Sequence, residues 1–257
     1  MSPNRRPRQA DHQQGGVLLS ADARPNNRLL AALPSDDYHR LLPHLTTISL
    51  RAKQVLRRRD EVVRQVFFPN GGVCSIVGTV TNGAMVECTT VGDEGIVGIE
   101  VFLSDESVTP FGETIVQVPD TDAAVLSVPE FRRELARHGA LERFLGRYTE
   151  GLVAQLMQQT VCNTLHDVPQ RCARWLLSTY DRMHQREFSL SHDLLALMLG
   201  VRRPTVSAVA ATFQHSGLIR YAHGHVAVLN RQGLEDASCE CYRIMRSRMW
   251  SPVSQQQ

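Results

Sequence analysis

Several features that would mark a membrane protein, a secreted protein or an enzyme are missing from this sequence. Charges and glycines interrupt every apolar run, so none reaches the ~20 residues that a membrane helix needs. The first residues, MSPNRRPRQADHQQGG, lack the apolar core of a signal peptide. No Ser/His/Asp arrangement or metal-spaced histidine pair stands out, and the glycines of GDEGIVGIE come without a P-loop lysine. We therefore expect a cytoplasmic protein that is not an enzyme.

Cysteines are present but scattered along the chain. The six are Cys74, Cys88, Cys162, Cys172, Cys239 and Cys241. This spacing is typical of reduced thiols in the cytosol and gives no disulfide framework. Cys239 and Cys241 are compatible with a redox or metal pair, but two cysteines without an adjacent partner are more often buried or bystander thiols. No metal site is predicted.

Changes of sequence texture divide the 257 residues into an arm, two domains, a connecting helix and a tail. The arm is rich in Arg, Gln, Asn and Pro and is expected to be disordered. We predict an α+β fold: an N-terminal antiparallel β-barrel or jelly roll, a long dimerisation helix and a C-terminal winged helix-turn-helix. The predicted boundaries are 1–27 for the arm, 28–133 for the β-rich domain, 134–167 for the long helix, 168–250 for the winged helix and 251–257 for the tail.

The β-rich part consists of short β-branched runs separated by turn residues. SIVGTVT, Asn82-Gly83 and AMVECTTV together predict a hairpin. Many short antiparallel strands favour a small barrel or jelly roll whose interior can hold a ligand. A sensor domain is one interpretation, and a purely structural barrel is the other.

The long helix carries one apolar stripe. Its members recur at steps of three and four residues and are Leu141, Leu145, Tyr148, Leu152 and Leu156. A narrow stripe between two domains is most simply buried against a second copy of the helix, giving a homodimer. Packing against the β-rich domain of the same chain is the alternative.

The segment HDLLALMLGVRRPTVSAVAA fits a helix-turn-helix wherever the geometry restricts the residue. Ala196 is small where the two helices cross, and Gly200 stands at the turn. Ser191 is placed to cap the first helix, and Pro204 falls in the first turn of the second. LIRY, AHGH and VAVL then predict two strands and their turn, the wing.

The expected partner of this motif is double-stranded DNA. An arginine at the start of a helix in the major groove can bond a guanine edge through two hydrogen bonds. From Val168 to Trp250, eleven arginines face six acidic residues, a net charge of +5 compared with +2 for the chain. The candidate base-reading residues are Arg202, Arg203, Thr205 and Ser207, and the candidate phosphate contacts are Ser191, His192, Arg220, His223 and His225. A solvated surface is the alternative for the second group.

The order of barrel, long helix and winged helix resembles the Crp/Fnr superfamily of regulators over roughly residues 27 to 236. LLALMLGVRRPTVSAVAATFQHSGLI followed by the wing is similar to the DNA-binding signature of that family. The resemblance implies a cyclic-nucleotide-binding-like barrel and a homodimer that acts on palindromic promoter sites. RNA polymerase and an unidentified small-molecule effector are further candidate partners.

This chain also departs from the family pattern. The resemblance implies a ligand pocket near Gly98, Glu100, Phe111 and Gly112, but Gly98-Ile99-Glu100 replaces the family's Gly-Glu pair and Phe111-Gly112 replaces its Arg-Ser pair. A cyclic nucleotide would lose its main charge partner, although the shifted Glu100 leaves that ligand open. The N-terminal cysteines of the iron–sulfur members are absent, so no cofactor is expected.

In the recognition helix, the positions where family members carry Arg, Glu and Arg hold Arg203, Pro204 and Ala208. Only the first is kept. We therefore expect an operator that differs from the family's best-known half-sites. A module whose helix-turn-helix serves protein contact is the alternative function.

Overall fold

The fold is taken from a computed structural model that describes residues 17–18, 24–81, 83, 85–104 and 106–254. Eight strands form the N-terminal domain in two four-stranded sheets, ordered β1-β2-β8-β4 and β3-β7-β5-β6. Their bounds are β1 Val17–Leu18, β2 Thr46–Ser49, β3 Val55–Arg57, β4 Gln65–Pro69, β5 Val73–Thr79, β6 Met85–Val91, β7 Glu113–Val118 and β8 Asp122–Ser127.

Helices surround these sheets and build the rest of the chain. The helices are α1 Arg28–Ala31, α2 Ser35–Leu41, α3 Glu100–Leu103, α4 Val128–Leu135, α5 Ala140–Leu165, α6 Val168–Tyr180, α7 His192–Leu199, α8 Arg203–His215, α9 Arg231–Asp236 and α10 Cys241–Ser254, with a 3₁₀ turn at Leu42–His44. A third sheet, ordered β10-β11-β9, contains β9 Glu187–Ser189, β10 Ile219–Ala222 and β11 His225–Val228. The predicted α+β class is confirmed.

The two N-terminal sheets face each other and are not closed into a barrel, which corrects one of the two predicted architectures. Phe67, Val97 and Val125 belong to the apolar layer between the sheets, and all ladder pairs are antiparallel. The edge strand β6 is covered by α7 of the C-terminal part, where Gly200 lies against Val86. A helix therefore covers this edge strand, whereas a closed barrel would have no edge strand.

The predicted hairpin of β5 and β6 is confirmed by a ladder that runs from Cys74 opposite Val91 to Thr79 opposite Met85. The turn between them includes Asn82, which lies outside the described residues. Gly83 adopts φ of 83°, in the left-handed region that favours glycine.

Most of the arm predicted over residues 1–27 lies outside the described residues, which include only 17–18 and 24–27 of it. β1 pairs with β2, and Asn27 is buried and caps α1 by accepting a hydrogen bond from the Leu30 amide. The Asn27 side chain also donates to the Pro69 and Gly95 carbonyls at 2.9 and 2.8 Å. These buried hydrogen bonds fix Asn27 against the N-terminal sheets.

Helix α5 packs on the N-terminal domain of its own chain. Leu141, Leu145, Tyr148 and Leu152 are buried in one core together with residues of α1, α2 and β4. This corrects the predicted dimer stripe at these four positions, because they are covered within the monomer. Among the described residues no single helix is long and apolar enough to cross a membrane; only the pair α7 and α8, bent by 108°, passes on length and composition.

Candidate nucleic-acid interface

Helices α7 and α8 form the helix-turn-helix, and local chemistry fixes where each begins and ends. The Ser191 hydroxyl accepts a hydrogen bond from the Leu194 amide at 3.1 Å and caps α7. Gly200 ends α7 with φ of 65°, a conformation that a side chain would strain. Pro204 lies in the first turn of α8, where its missing N–H costs no helix hydrogen bond.

The apolar sides of the two helices are buried against each other and against α6. Leu195, Leu199 and Val206 are at most 5% exposed, and Ala196 is small enough to let the helices approach. These residues belong to the same core as Trp175 of α6. The spacing deduced from the sequence therefore corresponds to a packed motif.

The start of α8 is left open to solvent. Arg202, Arg203 and Thr205 are exposed, so backbone N–H groups and two guanidinium groups lie at the positive end of the helix dipole. An ion pair at this end, Arg203 Nε to Asp193 Oδ1 at 3.6 Å, joins two exposed side chains. Such a pair is weak in water and leaves Arg203 able to exchange Asp193 for another acceptor.

Ser207 and His192 form a second, partly buried group behind these arginines. His192 Nδ1 and Ser207 Oγ share a hydrogen bond of 2.9 Å, and the His192 ring stacks on Tyr221 with 4.3 Å between ring centroids. Burial, and then the charge of Arg203, lower the pKa of His192, so the ring is neutral at neutral pH. The hydrogen bond at Nδ1 orients the Ser207 hydroxyl, and the contact of His192 with phosphate stays a prediction.

Tyr221 is a residue that the sequence analysis missed. Its hydroxyl donates to the Leu190 carbonyl at 2.7 Å and its ring supports His192, so it joins the wing to the start of α7. An aromatic residue on the first wing strand was the available signal.

The wing presents histidines at a tight turn. Strands β10 and β11 pair from Ile219–Val228 to Ala222–His225 and leave the two-residue loop His223-Gly224. Both loop residues have positive φ, 50° and 78°, as a type I′ turn requires. Arg220, His223 and His225 are exposed, and Arg220 pairs with the exposed Glu187 at 2.9 Å. This pair is also weak in water, so all three residues stay candidate phosphate contacts.

The predicted ligand pocket is only partly assembled. The Glu100 carboxylate is buried, lies 3.6 Å from the Arg57 guanidinium and accepts a hydrogen bond from the Phe111 amide at 3.1 Å. The Phe111 side chain itself is 73% exposed. Gly98 approaches Arg57 and Gly112 approaches the backbone of β5. Glu100 is therefore engaged by its own chain, while Arg57 also lines a neighbouring cavity of about 420 Å³.

Comparison with known proteins agrees with this geometry. Residues 170–237 match the Crp-like helix-turn-helix domain. Among solved structures, FixK2 from Bradyrhizobium japonicum has a TM-score of 0.63 and 16% identity, with 76% of this chain and 98% of FixK2 covered. The c-di-GMP-responsive global regulator CLP from Xanthomonas campestris has a TM-score of 0.58 and 14% identity, with 76% and 99% covered.

A CooA mutant from Carboxydothermus hydrogenoformans is similar as well, with a TM-score of 0.53, 16% identity and coverage of 75% of this chain and 86% of that one. At such identities the likeness concerns the fold. No curated protein matches the chain. The resemblance deduced from the sequence is confirmed by the domain match together with the shared fold.

Proposed function

Because the chain carries a Crp-like helix-turn-helix and the fold of the Crp/Fnr regulators, we propose that it is a sequence-specific DNA-binding transcription regulator, acting in the cytoplasm and not as an enzyme. The observation that carries this proposal is the exposed start of α8, where Arg202 and Arg203 stand on a rigid, buried support. A helix presented in this way fits the major groove, and the wing tip at His223 fits the adjacent backbone.

We further propose that the regulator acts as a homodimer on a palindromic site, through a face of α5 that the monomer leaves uncovered. Five apolar side chains of this helix are between 38% and 73% exposed: Val153, Leu156, Met157, Val161 and Leu165. This set is the exposed α5 face; its central residue Met157 lies on the side of the helix opposite Tyr148, and the set spans about 18 Å. A second copy buries it symmetrically and places two α8 helices for two half-sites.

The test is selection of DNA from a random library by the purified full-length protein, followed by affinity measurements over a range of salt concentrations. We expect an inverted repeat, and an affinity whose logarithm falls by about 0.9 per phosphate contact for each tenfold rise in salt. A single half-site is the matched control and should bind far more weakly. Weak association that does not depend on salt or sequence would instead favour a helix-turn-helix that contacts protein.

The same selection with and without a metabolite extract addresses the proposed effector. A shift in affinity that survives removal of macromolecules from the extract would support a small-molecule ligand. Addition of RNA polymerase to the selected complex tests the remaining partner, because a regulator that contacts polymerase should increase its occupancy at a neighbouring promoter.

A further inference from the structure

Four side chains with metal-binding atoms meet where α5 ends and α10 begins. They are Cys162 of α5, His166 directly after it, Cys239 shortly before α10 and Cys241 at the start of α10, and their ligand atoms all lie within 4.8 Å of one another. The sulfur atoms of Cys162 and Cys239 are 3.5 Å apart, and Cys241 Sγ is 3.5 Å from His166 Nδ1. Chain segments more than 70 residues apart thus converge on one point.

The local structure explains the convergence. His166 is the C-cap residue of α5, and its backbone amide donates to the Cys162 carbonyl at 3.2 Å, which places it next to Cys162 at the end of the helix. Cys239 and Cys241 flank Glu240 in a turn that is closed by the Tyr242 amide on the Cys239 carbonyl at 3.2 Å. All three thiols are at most 3% exposed, so the cluster is shielded from solvent except on the side of His166.

The dimensions suit one tetrahedral ion. Three sulfurs and one nitrogen form the Cys₃His donor set of structural zinc sites, in which metal–sulfur bonds of about 2.3 Å place neighbouring ligand atoms about 3.8 Å apart. The separations of 3.5 Å are close to this spacing. An iron–sulfur cluster holds its cysteines around several metal ions and so requires a wider ring of ligands.

Neighbouring polar groups support the ligands. His166 Nε2 lies 3.3 Å from a Glu240 carboxylate oxygen, the histidine–carboxylate contact that leaves Nδ1 free to bind a metal. The Gln158 side-chain amide donates to Cys241 Sγ at 3.0 Å, a contact that favours the thiolate. These contacts come from residues that the helix-turn-helix does not use.

We propose that Cys162, His166, Cys239 and Cys241 form a binding site for a single tetrahedral divalent cation of the zinc type. The site goes beyond the proposed DNA-binding function. Binding forms four metal–ligand bonds and releases the protons of whichever ligands are protonated to solvent. The ion would fasten α10 to the end of α5, next to Val161 and Leu165 of the exposed α5 face.

The test measures metal in the full-length protein without DNA, so its outcome is independent of the proposed function. Protein purified under reducing conditions and loaded with Zn²⁺ should retain one zinc per chain after gel filtration. Loading with Co²⁺ should give the visible bands of tetrahedral coordination and a thiolate-to-metal charge-transfer band. Cys162→Ser and Cys239→Ser should lower the retained zinc at least tenfold, whereas Cys74→Ser and Cys88→Ser, outside the cluster, should leave it unchanged.

Two further measurements keep the proposal open to refutation if the serine variants fail to fold. His166→Cys keeps four donors and should retain one zinc while strengthening the Co²⁺ charge-transfer band. Wild-type protein that retains no stoichiometric zinc would overturn the proposal. The proposal would also be overturned if the protein bound iron and sulfide instead of zinc. A Cys162–Cys239 disulfide that persists in the reduced preparation would overturn it as well.

Discussion

Arg203 is the residue on which base recognition is expected to depend. It is exposed, stands at the start of α8 and has only a weak partner in Asp193. If its guanidinium bonds a guanine edge at two points, Arg203→Ala should cost about 1–3 kcal/mol of binding free energy and relax specificity at one base pair per half-site. Affinity for the selected operator and for its single-base variants measures both effects.

Arg203→Lys separates base reading from charge, because lysine keeps the positive charge but lacks the planar guanidinium group that can make two parallel hydrogen bonds. It should lose specificity at the same base pair almost as fully as Arg203→Ala. Arg186→Ala, an exposed arginine before β9, is the control and should leave specificity intact. Equal weakening on every sequence would make Arg203 a phosphate contact.

Glu87 makes the contact between the N-terminal sheet and α6 sensitive to pH. Its carboxylate is buried, accepts hydrogen bonds from the Ser75 hydroxyl at 2.6 Å and the Trp175 indole at 3.0 Å, and faces the Arg174 and Arg182 guanidinium groups. Burial outweighs these favourable contacts and raises the pKa of Glu87 from 4.5 to about 7.

The folded protein therefore binds more protons than the unfolded chain between these two pKa values. The contribution of Glu87 to the free energy of unfolding should fall as pH rises through this window, by about 3 kcal/mol in total, and then level off. Glu87→Gln keeps both acceptor and shape and should remove this loss. Urea unfolding of the wild-type protein and of Glu87→Gln at pH about 5 and about 8 measures this difference. Equal pH dependence of the two proteins would show that Glu87 is ionised throughout.

At the residue scale, the sequence was sufficient to predict a residue's structural role wherever the backbone geometry restricts the residue type. Gly200 and Ser191 have the conformation and the capping bond that their types predicted. The stacking of His192 on Tyr221 could not be predicted, because it depends on where the wing folds back against α7. The contact of His192 with phosphate is predicted from residue type alone and stays a prediction.

Helix α5 shows what periodicity leaves undecided at the scale of an element. It carries apolar side chains on two faces, and the stripe through Leu145 is the one that its own domain covers. The exposed face through Met157 also consists of apolar residues at helical spacing. A helical repeat identifies an apolar face, but which partner covers it depends on tertiary packing.

The two faces should respond differently to charge. Met157→Glu combined with Val161→Glu places four carboxylates at a symmetric interface and should give folded monomers that no longer bind two half-sites. Leu145→Glu buries a charge in the monomer and should instead lower the free energy of unfolding by about 3 kcal/mol or more. Sedimentation velocity together with urea unfolding distinguishes the two results.

Leu103→Glu is the control for these substitutions, since Leu103 is an exposed apolar residue on α3 and not part of the exposed α5 face. It should alter neither the association state nor the two-half-site binding. A dimer that persists in the Met157→Glu, Val161→Glu protein would place the interface elsewhere.

In the whole molecule, the two domains share a core. Val73, Val77 and Val118 of the N-terminal sheet belong to the same apolar cluster as Trp175 and Phe213. The order of the domains was predicted from the sequence, but this joint core was not. The sequence of a strand does not show whether its outer face is covered by another domain or exposed to solvent. The cluster of Cys162 and Cys239 escaped prediction because residues more than 70 positions apart meet only in the folded chain.

A buried ion pair crosses this boundary. The Arg182 guanidinium donates to both oxygens of Glu94, at 3.0 and 2.7 Å, and to the Thr90 hydroxyl at 3.0 Å. Burial alone would raise the pKa of Glu94, but Arg182 holds it below its ordinary value. Both charges are thus retained in the interior, and each depends on the other.

Glu94→Ala should lower the free energy of unfolding by about 3–5 kcal/mol, because it leaves Arg182 buried without a counter-charge. Glu94→Leu combined with Arg182→Met removes both charges and should cost much less. Since the pair joins the domains, Glu94→Ala should also split one unfolding transition into two, seen as non-coincident curves from circular dichroism and tryptophan fluorescence. Glu187→Ala, which breaks the exposed pair with Arg220, should change stability by less than about 1 kcal/mol. A double variant as unstable as Glu94→Ala would mean that packing around Glu94, and not its charge, holds the domains together.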